Sequence, residues 1–293
     1  QNCTNYKAMS RILLHSALLA LSCATGSAAV LRVAVTGAGG QTGGHVFRKM
    51  LVSTEFQPVG IVRTKASRDA LLADTGAPPE SVVVADVAAA GGASLAGLAA
   101  AMAGCAALVI GTSAKVKPTG GINEANGRPN MGFPDGQPYD VDWLGQKAQI
   151  DAAKQAGVGH VAICSSMGGT DPAHMLNSFG RLPGGKTGGG ILHWKRKAEK
   201  YLVNSGLTYT IVHPGGLLTE PGSRRKLVVG IDDTCVASQN RSIPRQDVAE
   251  VLINSLIHPG YKNRSFDLIS EPDSGAEVAT DFSTLLDPLS GAN

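Results

Sequence analysis

The stretch Leu31-Arg32-Val33-Ala34-Val35-Thr36-Gly37-Ala38-Gly39-Gly40-Gln41-Thr42-Gly43 decides how this chain is read. A short apolar run rich in β-branched residues meets glycines at 37, 40 and 43, where a helix opens. A strand turning sharply into a helix needs glycine at the turn. A second glycine lets backbone N–H groups approach a pyrophosphate, and a third lets helix and strand pack closely. The unsatisfied N–H groups and positive dipole end of the helix then face the anion. Thr36, Gly37, Gly39, Gly40, Gln41, Thr42 and Gly43 are therefore the expected phosphate cradle.

A glycine triplet alone is weak, but the chain around it has a matching rhythm. Leu31–Thr36, Pro58–Val62, Ser81–Ala85, Ala106–Ile110, His160–Cys164 and Thr208–Val212 read as strands separated by stretches of helical length. One such helix is Asp140–Ala156, with Val141, Leu144, Ala148 and Ala152 on one face. Near-continuous apolar strands alternating with helices indicate a parallel sheet covered on both faces, wound with right-handed crossovers. The expected fold is α/β, a doubly wound, Rossmann-like sheet forming a single domain over residues 30–270. Loops 112–138 and 167–190 follow the fourth and fifth strands, bordering the ligand crevice, and are expected to wall the substrate. Loop 214–240 is expected to carry a short hairpin. It is followed by a helix over Arg245–His258, a last strand near Arg264–Leu268 and a loose tail, 271–293.

Composition supports one large core. Of 293 residues, 43% are apolar, enough to exclude a disordered chain and to need no disulfide or metal staple. No apolar run reaches the ~18–20 residues that span a bilayer. The net charge of +3 arises at the N-terminal end: residues 1–54 hold five Lys or Arg and no acid, leaving 21 basic against 23 acidic residues in the rest. Basic charge on the folded domain is what nucleic-acid binding needs, so no nucleic-acid partner is expected. The runs Lys195-Arg196-Lys197 and Arg224-Arg225-Lys226 read as solvated faces. Cys105 and Cys164 read as small buried hydrophobes, and no Cys/His cluster has metal-ligand spacing.

Residues 1–29 read as a targeting segment. Met9-Ser10-Arg11 precedes an apolar stretch, Ile12–Ala24, and small residues through Ala29, as in a signal peptide cleaved after Ala29. The absence of acids and the Ser and Ala content fit an organellar transit peptide equally.

The second strand ends Ile61-Val62-Arg63-Thr64-Lys65. An NAD site places a carboxylate here for the ribose 2′-hydroxyl, whereas arginine suits the 2′-phosphate of NADP. Arg63, helped by Lys65 or Arg68, therefore points to NADP(H). Asp86 and Val87 follow the third strand at the adenine edge. Thr112 and Ser113 follow the fourth, where the crevice continues.

TGAGGQTG at 36–43, VDWLGQKAQIDAAKQAGVGHVAICSSMGGT at 141–170, ILHWKRKAEKYLVNSGLTYTIVHPGGLL at 191–218 and IPRQDVAEVLINSL at 243–256 resemble atypical short-chain dehydrogenase/reductases. They are most similar to the plant and algal branch, which includes chloroplast proteins of unassigned function. The resemblance covers about residues 31–270. It implies a serine after the fifth strand, matched by Ser165 and Ser166, and a Tyr-x-x-x-Lys pair whose lysine is matched by Lys195. The lysine would hold the nicotinamide ribose. The tyrosine position falls on Ile191, which cannot transfer a proton; His193 is a substitute only if it reaches the site from another helix face. His213-Pro214-Gly215-Gly216 resembles the family's cofactor-covering turn, with His where many relatives carry Arg, so Pro214 and Gly215 join the expected cofactor contacts.

The function expected from the resemblance is NADPH-dependent reduction of a small molecule without the usual tyrosine. Its rival is a non-catalytic NADP-binding redox sensor or plastid assembly factor; association with RNA or chlorophyll machinery rests on fold analogy alone. Leader and cofactor together place the protein in a plastid, with a cytoplasmic form starting elsewhere as the alternative.

Overall fold

The computed structural model describes residues 30–87, 92–123, 127–180 and 189–290. The expected leader, 1–29, lies outside them, as do 124–126 and 181–188 within the two crevice loops and 291–293 at the end.

Strand β1 (Leu31–Thr36) enters helix α1 (Gln41–Leu51), followed by β2 (Phe56–Val62), α2 (Lys65–Thr75), β3 (Val82–Val84), α3 (Gly92–Ala101) and β4 (Ala107–Ile110). After β5 (Lys117–Asn123) and β6 (Arg128–Gly132) come α4 (Gln146–Gln155), β7 (His160–Cys164), α5 (Ile191–Val203) and β8 (Thr208–Pro214). The chain continues through β9 (Gly216–Leu218), β10 (Leu227–Gly230), β11 (Ser242–Pro244), α6 (Arg245–Asn254) and β12 (Arg264–Ser270). The main sheet runs β10-β12-β8-β7-β4-β1-β2-β3, parallel except for β10, which lies antiparallel to β12. Chain order reverses between β1 and β4, so a crevice opens at their carboxyl ends. Thr36 lies level with Ile61 and Ile110, which brings the three following loops to one edge.

Both faces of the sheet are buried because successive side chains point to opposite sides. Val33, Val35, Val109 and Val212 pack with Val46, Phe47, Val248 and Leu252 of α1 and α6. Ala34, Leu108, Ile110 and Ile163 pack on the other side with Leu98, Ile150 and Ala153 of α3 and α4. Thr64 caps α2 by accepting from the Ser67 N–H at 3.1 Å, and Gly76 ends it at φ +63°.

The structure corrects four expectations. Loop 112–138 contains a two-stranded antiparallel ribbon, β5 with β6. Region 214–240 forms no hairpin: β9 pairs in parallel with β11, and β10 joins the edge of the main sheet. The helix expected from 140 opens as a π-helical turn, Tyr139–Gly145. That wider turn moves the inward face, so Asp142, Gly145, Gln146 and Gln149 are buried while Leu144 and Ala148 are only partly so. Finally, the end of 271–290 is packed, although 271–277 are exposed. Leu286 and Leu289 enter the core, Tyr261 Oη donates to the Phe282 carbonyl at 2.9 Å, and Arg264 Nη2 donates to that of Leu289 at 2.7 Å.

Candidate functional site

The cradle is built by interlocking glycines. Gly37 sits at φ +68°, and a Cβ there would lie 2.8 Å from the Gly111 carbonyl oxygen. A Cβ on Gly43 would lie 2.5 Å from the carbonyl oxygen of Gly37, and one on Gly111 would lie 3.1 Å from the Gly43 Cα. Only hydrogen fits at these contacts. Gly111 was not among the expected residues, although its place directly after the apolar run of β4 marks it. Gly40 differs: its backbone is extended, and a Cβ would meet only Gly37 within 4 Å, so its open side faces away from the protein. Helix α1 begins there with no side-chain cap and no acid in its first turn. Open backbone at Gly40, beside an uncapped helix end, fits a pyrophosphate. Gln41 is exposed at this edge, Thr42 is buried, and the buried Thr36 hydroxyl donates to the Val109 carbonyl at 3.4 Å. A Cβ on Gly39 would make ordinary contacts with Val62 and Ser67, which brings the end of β2 beside the cradle.

Arg63 is exposed at that point and donates from Nη1 to the Asp135 carbonyl at 3.1 Å. Lys65 lies 3.9 Å from Asp69. Arg68 instead ties α2 to the sheet, donating to the carbonyls of Val82 at 2.9 Å and Pro79 at 2.8 Å. The Arg68 guanidinium is therefore committed to the sheet and, contrary to expectation, does not assist Arg63. Asp86 is half-buried and Val87 buried after β3. The Val87 carbonyl approaches Gly145 so closely that a Cβ there would lie 3.0 Å away.

At the other end of the crevice, α4 and its π turn hold the loop after β4. Gln149 Nε2 donates to Thr112 Oγ1 at 3.1 Å, Gln146 Nε2 to the Thr112 carbonyl at 3.2 Å, and the Ala114 N–H to Asp142 Oδ2 at 3.0 Å. Ser113 Oγ stays local, donating to the Ala114 carbonyl at 3.3 Å. The other oxygen of Asp142 pairs with Lys195 Nζ at 2.9 Å, both groups being almost fully buried. Lys195 is thus fixed against this loop, contrary to the reading of its basic run as a solvated face. The second run is neutralised too: Arg224 pairs with Asp273, Arg225 with Glu220 and Lys226 with Glu271. The 142, 146, 149 spacing of polar residues on one helical face was the missed signal. Ile191 is buried in an apolar cluster with Ala114, Phe133, Val141 and Leu192. His193 is exposed, its ring edge-on to Trp194 with centroids 4.7 Å apart.

Behind the carboxyl end of β7 lies a buried ionic network that the sequence reading missed. Ser165 Oγ donates to Glu199 Oε1, and Glu199 Oε2 pairs with Arg196 Nη1 at 2.8 Å and His213 Nε2 at 3.2 Å. His213 Nδ1 lies 3.6 Å from Asp267, and Arg196 Nη2 lies 3.7 Å from Asp233. Asp233, held at φ +63°, accepts from the N–H groups of Gly168 and Thr170, each at 2.7 Å, pinning the loop after β7. Burial alone would raise the Glu199 pKa, but His213, Arg196 and the Ser165 hydroxyl overcome it and bring it down to about 2. Burial alone would lower that of His213, but its hydrogen bonds to the Asp267 and Glu199 carboxylates outweigh it and raise it. Two expectations change. The Ser165 hydroxyl is committed to Glu199, and His213 turns into this network instead of covering the cofactor edge. Ser166 is half-buried and donates to the Met167 carbonyl at 3.1 Å. Pro214 accepts from the Met167 N–H at 3.1 Å, and the Gly215 N–H donates to the Leu268 carbonyl at 3.0 Å. The Arg241 carbonyl occupies the place of a Gly215 Cβ, so close packing explains that glycine.

Among the described residues, Cys105, Cys164 and Cys235 are free and buried, and no helix is long and apolar enough to cross a membrane. A sequence model of the NAD(P)H-binding family matches residues 37–259. The chain is 41% identical over 258 residues to an uncharacterized, chloroplastic protein of Arabidopsis thaliana, covering 87% of this chain and 74% of that one. It is 38% identical over 275 residues to the sanguinarine reductase of Eschscholzia californica, covering 87% and 94% of the two chains. A solved Bacillus halodurans structure assigned to the NAD-dependent epimerase/dehydratases shares the fold, with a TM-score of 0.62, 24% identity and coverage of 88% and 100%. With the sheet order, the glycine cradle and these matches in agreement, the chain belongs to the NAD(P)H-binding family of Rossmann-type domains.

Proposed function

We propose that this protein is an NADPH-dependent reductase of a small molecule, working without a tyrosine acid. The observation that carries the reading is the cradle at Gly37–Gly43 leading, across the end of β2, to an exposed arginine in place of a ribose carboxylate. Similarity to a plant reductase over most of both chains supports it. The nicotinamide ring, when bound, supplies a hydride. The N–H groups after Gly40 hold the pyrophosphate, Arg63 the 2′-phosphate, and Asp86 with Val87 the adenine edge. Lys195, fixed by Asp142, donates to the nicotinamide ribose, and Thr112, Ser113, Ser166, Pro214 and Gly215 border the same end. Ser165 acts there through its backbone position, because Glu199 takes its hydroxyl. Ile191 leaves that wall apolar, so the proton completing reduction comes from water or substrate. Plastid location, with residues 1–29 as a transit peptide, is supported by the chloroplastic relative and the acid-free leader.

A second reading, a non-catalytic NADP-binding sensor or assembly factor, is favoured by the same apolar Ile191. Loss of dihydronicotinamide absorbance on mixing protein, NADPH and a metabolite extract separates the two: turnover supports the reductase, and tight NADPH binding without turnover supports the sensor. Arg63→Ala should weaken NADPH binding by about 1.5–3 kcal/mol and leave NADH binding nearly unchanged. Equal wild-type affinity for the two cofactors overturns the NADP assignment.

A further inference from the structure

The ribbon β5–β6 returns to the sheet edge at Asp135, beside Arg63. There Lys117 Nζ pairs with Asp135 Oδ2 at 2.5 Å, while Arg63 spends a guanidinium N–H on the neutral Asp135 carbonyl. Lys117's hydrogen bond, with the charges of Arg63 and Lys115 behind it, holds the Asp135 carboxyl below the ordinary carboxylate range. Lys117 and Arg63, from two chain segments, thus meet at Asp135 beyond the end of β2, with the exposed Lys115 two positions before Lys117. Among the described residues, neither Arg63 nor Lys115 has an ion-pair partner within 4.0 Å. The site is solvent-facing, with Lys117 50% and Asp135 41% exposed, so an incoming anion can reach it. Gly39 packs against Val62 and Ser67, which flank Arg63, so the cluster borders the phosphate cradle.

We infer that Lys117 and Lys115 complete, with Arg63, a subsite for the 2′-phosphate of an adenine dinucleotide, and that Asp135 is an internal counter-ion which this phosphate displaces. The inference rests on the NADP reading above and adds to it residues that lie about fifty positions beyond β2. A dianionic phosphate offers more acceptor oxygens and charge than a carboxylate, and arginine's fork can engage it bidentately. Displacing Asp135 would also loosen the ribbon that walls the crevice. That ribbon already meets the opposite loop, where the Gly180 N–H donates to the Met131 carbonyl at 3.1 Å. It also meets the buried Ile191 through Phe133.

Calorimetric titration of adenosine 2′,5′-bisphosphate and of 5′-AMP into the full chain tests this without the nicotinamide or any turnover. Lys117→Met should weaken the bisphosphate by about 3–10-fold and leave 5′-AMP unchanged, and Asp135→Asn should tighten the bisphosphate by about threefold, the scale of a single exposed charge pair. Both side chains are half exposed, so a matching circular dichroism spectrum and melting temperature are expected for each variant. If Arg63→Ala removes the preference for the bisphosphate while Lys117→Met and Asp135→Asn leave it unchanged, the ribbon has no part in the subsite; the inference is then wrong and the NADP reading stands. If the wild-type chain binds both nucleotides equally, the NADP reading itself is wrong.

Discussion

Glu199→Gln tests whether the buried network holds the end of β7 together. Glu199 is 5% exposed, and its pKa falls from 4.5 to about 2 on folding. Each tenfold change in acidity is worth about 1.4 kcal/mol, so the folded state gains about 3 kcal/mol at neutral pH from keeping this group charged. Glutamine keeps an acceptor for the Ser165 hydroxyl but leaves Arg196 and His213 without their shared anion. The sign fixes the pH window. A carboxylate with a lowered folded pKa stabilises fully above about pH 4.5, and this contribution is lost as pH falls from there towards 2. Wild type and variant should therefore differ by about 3 kcal/mol at pH 7 and converge in acid. His213 has the opposite sign: its contribution is complete below its ordinary 6.5 and is lost as pH rises through its raised folded pKa. Removing Glu199 takes away one of the two groups holding that proton, so the alkaline loss should be smaller and end at lower pH in the variant. Urea denaturation followed by circular dichroism from pH 3 to 9 measures both limbs. At neutral pH the midpoint should drop by roughly 1–1.5 M, taking a slope of about 2–3 kcal/mol per molar urea. A deficit under about 1 kcal/mol at pH 7, or one that persists undiminished at pH 3, would refute the reasoning.

Two further outcomes concern the cradle and the carboxyl-terminal segment. Gly43→Ala places a methyl 2.5 Å from the Gly37 carbonyl and must push α1 from the turn, costing about 2–3 kcal/mol and abolishing NADPH binding; a variant that titrates like wild type contradicts the close-approach argument. Ending the chain at Thr280 removes Leu286 and Leu289 from the core and leaves the buried Tyr261 hydroxyl without its acceptor, a loss of roughly 3–5 kcal/mol. An unchanged melting temperature would show that the segment contributes no stability.

The sheet and the cradle were legible from the residues alone because their requirements are local. β-branched runs such as Val33–Val35 and His160–Cys164 make strands wherever they are buried, and Gly37, Gly40 and Gly43 answer a turn and a helix start within seven residues. The place of Arg63 was legible for the same reason, since it directly follows the apolar run of β2. Lys195, Ser165 and His213 carried no local sign of their partners. Whether Lys195 is solvated or buried depends on Asp142, fifty-three positions earlier, and on a π turn that rotates that aspartate inward. The Ser165 hydroxyl and the His213 ring are held by Glu199 and Asp267, brought together only when β7, β8, α5 and β12 pack side by side. Leu286 and Leu289 looked like part of a loose tail because their burial depends on a core assembled from distant segments. Charge pairing and the fate of a terminal segment are decided by tertiary structure, since desolvating an ion or a leucine takes neighbours that sequence spacing does not specify.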